Sequence, residues 1–424
     1  MYDSGNTGFM IVCTMLVLLM TPGLAFFYGG LSRRKNVINT MFMTFASIGV
    51  VGILWVIAGW SFAYGGDGTN PFFGGFDQLG LNGAVSDILA ESTAGDIEPG
   101  AYPGIIDIAF QAAFAMITAA IIGGAVAGRM KFKALILFLG IWILAIYAPL
   151  AHMVWGGEGS FIGEVIGALD FAGGDVVHIS SGLTGLVLCI MLGRRREFGM
   201  LNYRPHNVPF VLLGAALLWF GWFGFNAGSE FAADSIAALA LLNTVVASSA
   251  GLASWALLER IVTGKPTLVG AATGLVAGLV AITPAAGFVE PWAAIIMGAL
   301  VVPCCFFGIS LLKKKIGYDD ALDAFGCHGI GGIVGGVLTG IFCVPDLSWT
   351  EFGGLIYTGD VTLLINQILG ILVTIVFVVA GAIIIGFIVK FACKGLRVHE
   401  DQEAIGLDIS EHGESAYPAF VGLD

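Results

Sequence analysis

The sequence predicts an all-α, polytopic membrane fold of eleven transmembrane helices, arranged as an inverted 5+5 repeat plus one extra helix. Three observations predict it. The 424 residues are 57% hydrophobic and only 11% charged, with a mean hydropathy of +0.92, far from a soluble globular composition. Eleven apolar stretches are each long enough to cross a ~30 Å hydrocarbon core as a helix. All 18 Lys and Arg residues fall in alternate connections or in the C-terminal flank.

The spans lie near 7–30, 40–65, 104–128, 133–155, 171–193, 207–229, 234–258, 267–285, 291–312, 320–344 and 362–391. The start, MYDSGNTG, has no charged n-region and no small-residue cleavage site, so the first span is expected to be retained. The basic clusters are Arg33–Lys35, Arg129–Lys133, Arg194–Arg204, Arg260–Lys265, Lys313–Lys315 and Lys390–Arg397. The positive-inside rule then places the N-terminus outside and the C-terminus in the cytoplasm, in a cell (plasma) membrane. That orientation needs an odd number of spans, and eleven satisfies it. Residues 66–103 form a Gly-rich, acidic extracellular loop. Residues 1–393 make one transmembrane domain and 394–424 a cytoplasmic tail.

Composition excludes some functions. The net charge of −12 comes from acidic outer loops and an acidic tail, so no basic surface invites nucleic acid. The seven cysteines lack zinc-type spacing, and adjacent Cys304 and Cys305 are poor disulfide partners. They read as small apolar fillers.

The repeat is visible at two histidines. Asp170–His178–Gly182–Gly185–Val187 and Asp320–His328–Gly332–Gly335–Val337 both read D-x7-H-x3-G-x2-G-x-V, offset by 150 residues. The first copy is in span 5 and the second in span 10, which run in opposite directions, the mark of an inverted-topology repeat. Eight residues of helix carry each histidine ~12 Å into the core, one from each side. Both reach the midplane, and the glycines at i+4 and i+7 share the histidine face and permit close helix approach.

Three readings of His178 and His328 stand at this stage. They are packing residues satisfied by helix carbonyls, metal ligands, or a neutral hydrogen-bonded pair lining a narrow path. Two histidines without HExxH or a carboxylate cluster are a thin metal set, so no metal and no cofactor is expected. Imidazole donates with one nitrogen and accepts with the other, which suits a small polar molecule or a proton. Asp170 and Asp320 are placed to cap their helices, and Asp170 at the outer mouth also adds negative potential. Asp323 caps or pairs with a basic loop; Asp175 has no evident role. Trp222, Phe225 and Ser229 fall on one face of span 6, Phe110 and Phe114 on one face of span 3, and Trp155 ends span 4. These aromatics are either interfacial packing or a cation-binding vestibule.

The stretches AHMVWGG, DFAGGDVVHI, GWFGFNAGS and DDALDAFGCHGIGG, with the tail GLRVHEDQEAIGLDISEHGESAYP, resemble the ammonium transporter family along essentially the whole chain. The resemblance implies a homotrimer with one pore per subunit. It implies that Phe114, Trp155 and Ser229 form an outer ammonium site and that Phe114 and Phe225 form a stacked phenyl gate. His178 and His328 become a twin-histidine pair and Asp170 the outer acid. Phe110 and Trp222 are lining or supporting residues. Related Rhesus proteins lack the aromatic set. The resemblance also implies that the tail communicates between subunits and shapes a cytoplasmic face for a PII-type (GlnK-like) protein.

The expected activity is transport, not catalysis. A charge at the membrane centre costs at least ~2.5–3.5 kcal/mol, and no acid lies between the gate and the histidines. Ammonium, or its analogue methylammonium, is expected to bind at the mouth, lose a proton and cross as ammonia, while potassium is excluded. The alternatives are an ammonium sensor signalling through the tail and an intramembrane metal-dependent hydrolase. The second lacks a ligand triad and a nucleophile–base pair.

Overall fold

Helix ends in this chain are set by a few polar residues beside long apolar runs. Asp3 accepts from Asn6 N, Asn207 from Phe210 N, Asp234 from Ile236 N and Ala237 N, and Thr267 from Gly270 N. Each is a side-chain N-cap that satisfies otherwise orphaned donors. The computed structural model describes residues 2–93, 97–196, 198 and 204–417. Its eleven membrane-length helices are α1 (Ser4–Leu31), α2 (Arg34–Tyr64), α3 (Ile105–Val126), α4 (Phe132–Trp155), α5 (Gly174–Leu192), α6 (Val208–Glu230), α7 (Ser235–Val262), α8 (Leu268–Ala285), α9 (Pro291–Gly317), α10 (Phe325–Phe342) and α11 (Thr362–Ala392). Among the described residues there is no strand, only an isolated bridge between Met130 and Arg397.

The helices sort into a centre and a rim. α3, α5, α8 and α10 are the most buried, whereas α2, α9 and α11 are among those that keep broad apolar faces exposed. Phe45, Ile53, Leu311, Val376 and Phe387 lie on those faces. Exposed apolar faces on helices with internally satisfied backbones are what a bilayer requires. α1 packs along α6, and α5 against α10.

α5 and α10 begin later than the sequence suggested, at Gly174 and Phe325 rather than near 171 and 320. The reason is the motif acid, which sits before its helix and gathers the first amides. Asp170 accepts from the N–H groups of Gly173, Gly174, Asp175 and Val176 at 2.7, 2.6, 2.8 and 3.4 Å. Asp320 accepts from Ala324, Phe325 and Gly326 at 3.1, 2.8 and 3.4 Å. Each helix then opens with a widened π turn, Gly174–Ile179 and Phe325–Gly329, that carries the histidine. His178 N, for example, bonds back five residues to Gly173 O. Such turns recur at functional sites.

The tail packs on the face that carries the Lys and Arg residues. Asp408 accepts from Asn39 N at the start of α2, and Glu411 from Phe132 N at the start of α4. Neither helix start has a side-chain cap of its own, so the tail supplies it. Residues 418–424, included in the expected tail, lie outside the described residues.

Candidate functional site

Two cavities enter the helix bundle from opposite faces. The one on the face without Lys or Arg, labelled outer after the orientation expected from the sequence, has a volume of about 870 Å³ and is lined by Phe114, Trp155, Asp170 and Ser229 among others. The other, of about 260 Å³, is lined by Tyr28, Arg33, Asp323, Cys327 and His328. A void of only about 10 Å³ lies between them, bounded by Trp222, Phe225, His178, His328 and aliphatic side chains.

The barrier between the outer cavity and the void is an aromatic stack. The Phe114 and Phe225 rings lie 4.0 Å apart, 13° from parallel. Phe114 belongs to the outer cavity and Phe225 to the void, so the pair seals the passage between them. Phe225 sits three residues past Trp222 and four before Ser229, which explains why one helical stripe reaches the void, the aromatic stack and the cavity above it.

Above the stack, polar groups are few and oriented. Trp155 donates through Nε1 to the Asp170 backbone carbonyl at 2.8 Å, which fixes its ring; Phe114 meets it edge-on at 6.3 Å. Ser229 donates its hydroxyl proton to Phe225 O at 2.9 Å. That leaves its lone pairs for an N–H donor in the cavity. Asp170 is almost wholly buried, and its oxygens are taken up by the α5 amides.

Below the stack, His178 lies 6.2 Å from Phe225 and 5.4 Å from Trp222, near-parallel to both rings. Its Nδ1 stands 3.2 Å from Nδ1 of His328. The glycines of the repeat make this contact possible. A Cβ on Gly182 would lie 2.4 Å from Gly329 N, and one on Gly332 would lie 3.1 Å from His178 Cβ. His328 borders both the void and the inner cavity.

Most of the residues singled out in the sequence converge here. Phe110 does not line either cavity; it is buried behind Phe114, at 4.8 Å, and supports it. Asp320 caps α10, while Asp323 pairs with Lys313 at 2.7 Å beside the inner cavity. Asp175 points elsewhere, toward Thr374 of α11, with a buried Oδ1 that has no partner. Three lining or supporting residues escaped the sequence reading. Gln111 and Tyr64 line the outer cavity with buried, unpartnered oxygens. Thr283 accepts from Trp222 Nε1 at 3.0 Å and lies 3.3 Å from His178 Nε2. The available signal was a lone polar residue in GLVAITPAAG, one helix turn from the end of an apolar span.

Fold and site together define a polytopic α-helical membrane protein with a constricted, largely apolar passage through the middle of its bundle. The model of the Ammonium Transporter Family matches residues 8–417, and the chain belongs to that family. It is 48% identical over 417 residues to an ammonium transporter of Bacillus subtilis, covering 97% of this chain and 98% of that one. It is also 48% identical to an ammonium transporter of Aquifex aeolicus, covering 98% and 94%. Among solved structures, Saccharomyces cerevisiae Mep2 superposes with a TM-score of 0.86 at 32% identity, over 99% of this chain and 93% of that one. A sensor Amt protein superposes with a TM-score of 0.86 at 27% identity, over 96% and 98%.

Proposed function

We propose that the protein conducts ammonium nitrogen across the plasma membrane by stripping a proton at the outer cavity and passing ammonia through the void. The observation that carries this reading is the change in chemistry across the Phe114–Phe225 stack. Above it stand aromatic faces, the Ser229 lone pairs and acidic rim residues such as Glu158, Glu164 and Glu351. Below it, the only polar atoms in the void's lining side chains are the Trp222 indole N–H and the nitrogens of two imidazoles. An ammonium ion is held where aromatic faces and an acceptor meet it. A void of this size offers no water shell to a cation, so the charge stays behind. Ammonia has a lone pair and N–H groups that neutral imidazoles can match in turn. Potassium has no proton to lose and is rejected.

In this reading the basic face is cytoplasmic and the N-terminus external. The assembly is a homotrimer with one passage per subunit, and a PII-type protein meets the cytoplasmic tail. The test is uptake into proteoliposomes with simultaneous current recording. Methylammonium accumulation that ammonium competes away and potassium does not is expected. Phe114→Ala with Phe225→Ala should cost ion exclusion, read as a potassium current. Potassium competition in the unaltered protein would sink the proposal.

A second reading, an ammonium sensor, draws support from the tail. Because Asp408 and Glu411 cap two membrane helices, a shift of either helix start would strain its bond to the tail. Normal uptake combined with loss of an ammonium-dependent cellular response on Asp408→Ala would favour signalling as an added role.

A further inference from the structure

The Thr283 hydroxyl meets three groups at once: Leu279 O at 2.8 Å, Trp222 Nε1 at 3.0 Å and His178 Nε2 at 3.3 Å. A hydroxyl has one proton and two lone pairs. The carbonyl can only accept, and at 2.8 Å against 3.3 Å it is the nearer acceptor, so it takes the proton. The indole N–H can only donate, so it fills one lone pair. What remains for His178 is the second lone pair, and only an N–H on Nε2 can use it. Neutral His178 then has its own lone pair on Nδ1, 3.2 Å from Nδ1 of His328. Two lone pairs do not face each other at that distance, so His328 carries its proton on Nδ1 and its lone pair on Nε2. Among the described residues nothing bonds His328 Nε2, and His328 borders the inner cavity.

We propose that Thr283 is a positioning residue that holds the histidine pair in a single resting tautomer and so gives it a direction for protons. The site is rigidly built. Thr283 is wholly buried, and the adjacent Pro284 braces α5 through its carbonyl, which accepts from Phe171 N, and its ring, which abuts Gly174. In the resting state the pair presents an acceptor to the inner cavity and a donor toward the outer side. A proton from the inner cavity binds His328 Nε2. The proton on His328 Nδ1 then moves to His178 Nδ1, and the proton on His178 Nε2 passes to a water or ammonia molecule that enters from the outer cavity when the Phe114–Phe225 stack parts. The pair is left reversed, with protons on His328 Nε2 and His178 Nδ1. Inward transfer starts only from that reversed state. Reaching it at rest requires the Thr283 hydroxyl to turn from Leu279 O to His178 Nε2. Rotation of one hydroxyl therefore gates inward proton movement, whereas neutral ammonia needs no such step.

The functional half of this inference rests on the transport reading; the tautomer does not. The full chain, labelled with nitrogen-15 at histidine and placed in lipid bilayers, reports which ring nitrogens carry protons. One hydrogen bond biases such an equilibrium on the order of tenfold. Thr283→Val should raise the reversed tautomer from about a tenth of the pair to near half, and Thr283→Ser should restore the original spectrum. Trp222→Phe removes the other donor and should leave the tautomer unchanged. In proteoliposomes Thr283→Val should raise the proton current per methylammonium taken up severalfold, with Thr283→Ser returning it to normal. An unchanged histidine spectrum in Thr283→Val, or no restoration by Thr283→Ser, overturns the proposal. If the unaltered protein takes up no methylammonium, the transport reading fails while the spectrum still decides the tautomer.

Discussion

The two copies of the D-x7-H motif meet at their histidines and part company at their acids. Asp170, in the outer copy, is buried among backbone amides, and four of them claim its oxygens. Asp320, in the inner copy, satisfies three amides, and the residues after it line the inner cavity. Its neighbour Asp319 is bound up with Arg195 and Arg129 on the basic face. One motif thus builds the same half-helix twice, once beside a cavity on the face without Lys or Arg and once beside the ion pairs of the basic face. The lesson is that the repeat preserves geometry at the histidine pair while each end adapts to its own face.

The largest expected effect tests that difference at the acids. Asp170→Ala strands four buried donors, each worth about 1–3 kcal/mol when unsatisfied. We expect it to abolish folded protein, read as loss of the monodisperse peak in detergent. Asp320→Ala strands three buried donors instead of four, and it should give folded protein with a lowered Tm. Equal damage from the two substitutions would show that the settings do not differ.

The next test uses an ion pair of the basic face. Asp319 is buried, which pushes its carboxyl up, but the Arg195 guanidinium at 2.5 Å, with Arg129 behind it, holds it below the usual carboxylate range. A carboxyl depressed in the folded state contributes stability above its unfolded pKa and loses it as pH falls through the lower folded value. The basic face should therefore loosen under acid, below the ordinary carboxylate range, while the outer end does not respond through this pair. Arg195→Ala leaves a buried carboxylate unpaired at a cost of about 3 kcal/mol. It should also move the acid transition to higher pH. Hydrogen exchange at residues 317–323 against pH reads both.

How much of this was legible in the sequence follows from what each feature depends on. The spans and the repeat were legible, because apolar length and a paired motif are local patterns. The meeting of His178 and His328 was also legible, through symmetry, whereas the pairing of Phe114 with Phe225 was implied only by the resemblance to the ammonium transporter family. The late starts of α5 and α10 were not, because nothing in a string of residues shows that an acid will gather amides across a bend. Thr283 stayed hidden for another reason: it matters through contacts with distant spans, while Gln111 and Tyr64 matter through the cavity that the folded bundle leaves beside them. The trans-capping by Asp408 and Glu411 was invisible likewise, since it depends on where the tail lands.

A smaller effect sharpens the symmetry at the pore itself. A Cβ on Gly182 would meet Gly329 N at 2.4 Å and Gly329 Cα at 2.6 Å, both backbone atoms that cannot step aside. A Cβ on Gly332 would meet Ile179 Cγ1 at 2.9 Å and Gly174 O at 3.0 Å, a looser fit with a side chain that can turn. Gly182→Ala should therefore cost about 2 kcal/mol more than Gly332→Ala, within the range for overpacked cores. It should also part the imidazoles and slow methylammonium uptake. Comparable thermal melts for the two variants would mean that the helices shift as one body and that the tight contact is not a constraint.

The smallest expected effect falls where the copies differ outright. The position that is Asp175 in the outer copy is Phe325 in the inner one. Both are buried in the widened turn, yet among the described residues Asp175 Oδ1 makes no hydrogen bond of good geometry and has only the neighbouring Thr374 hydroxyl to interact with. A buried polar atom without a partner costs about 1–3 kcal/mol, and removing it with an apolar side chain of similar size recovers part of that. Asp175→Leu should accordingly raise Tm slightly and leave uptake intact, making the outer copy more like the inner. If it instead lowers uptake while Tm holds or rises, the carboxyl is retained for transport at the expense of stability. The symmetry would then be broken for function and not only by the surroundings of each end.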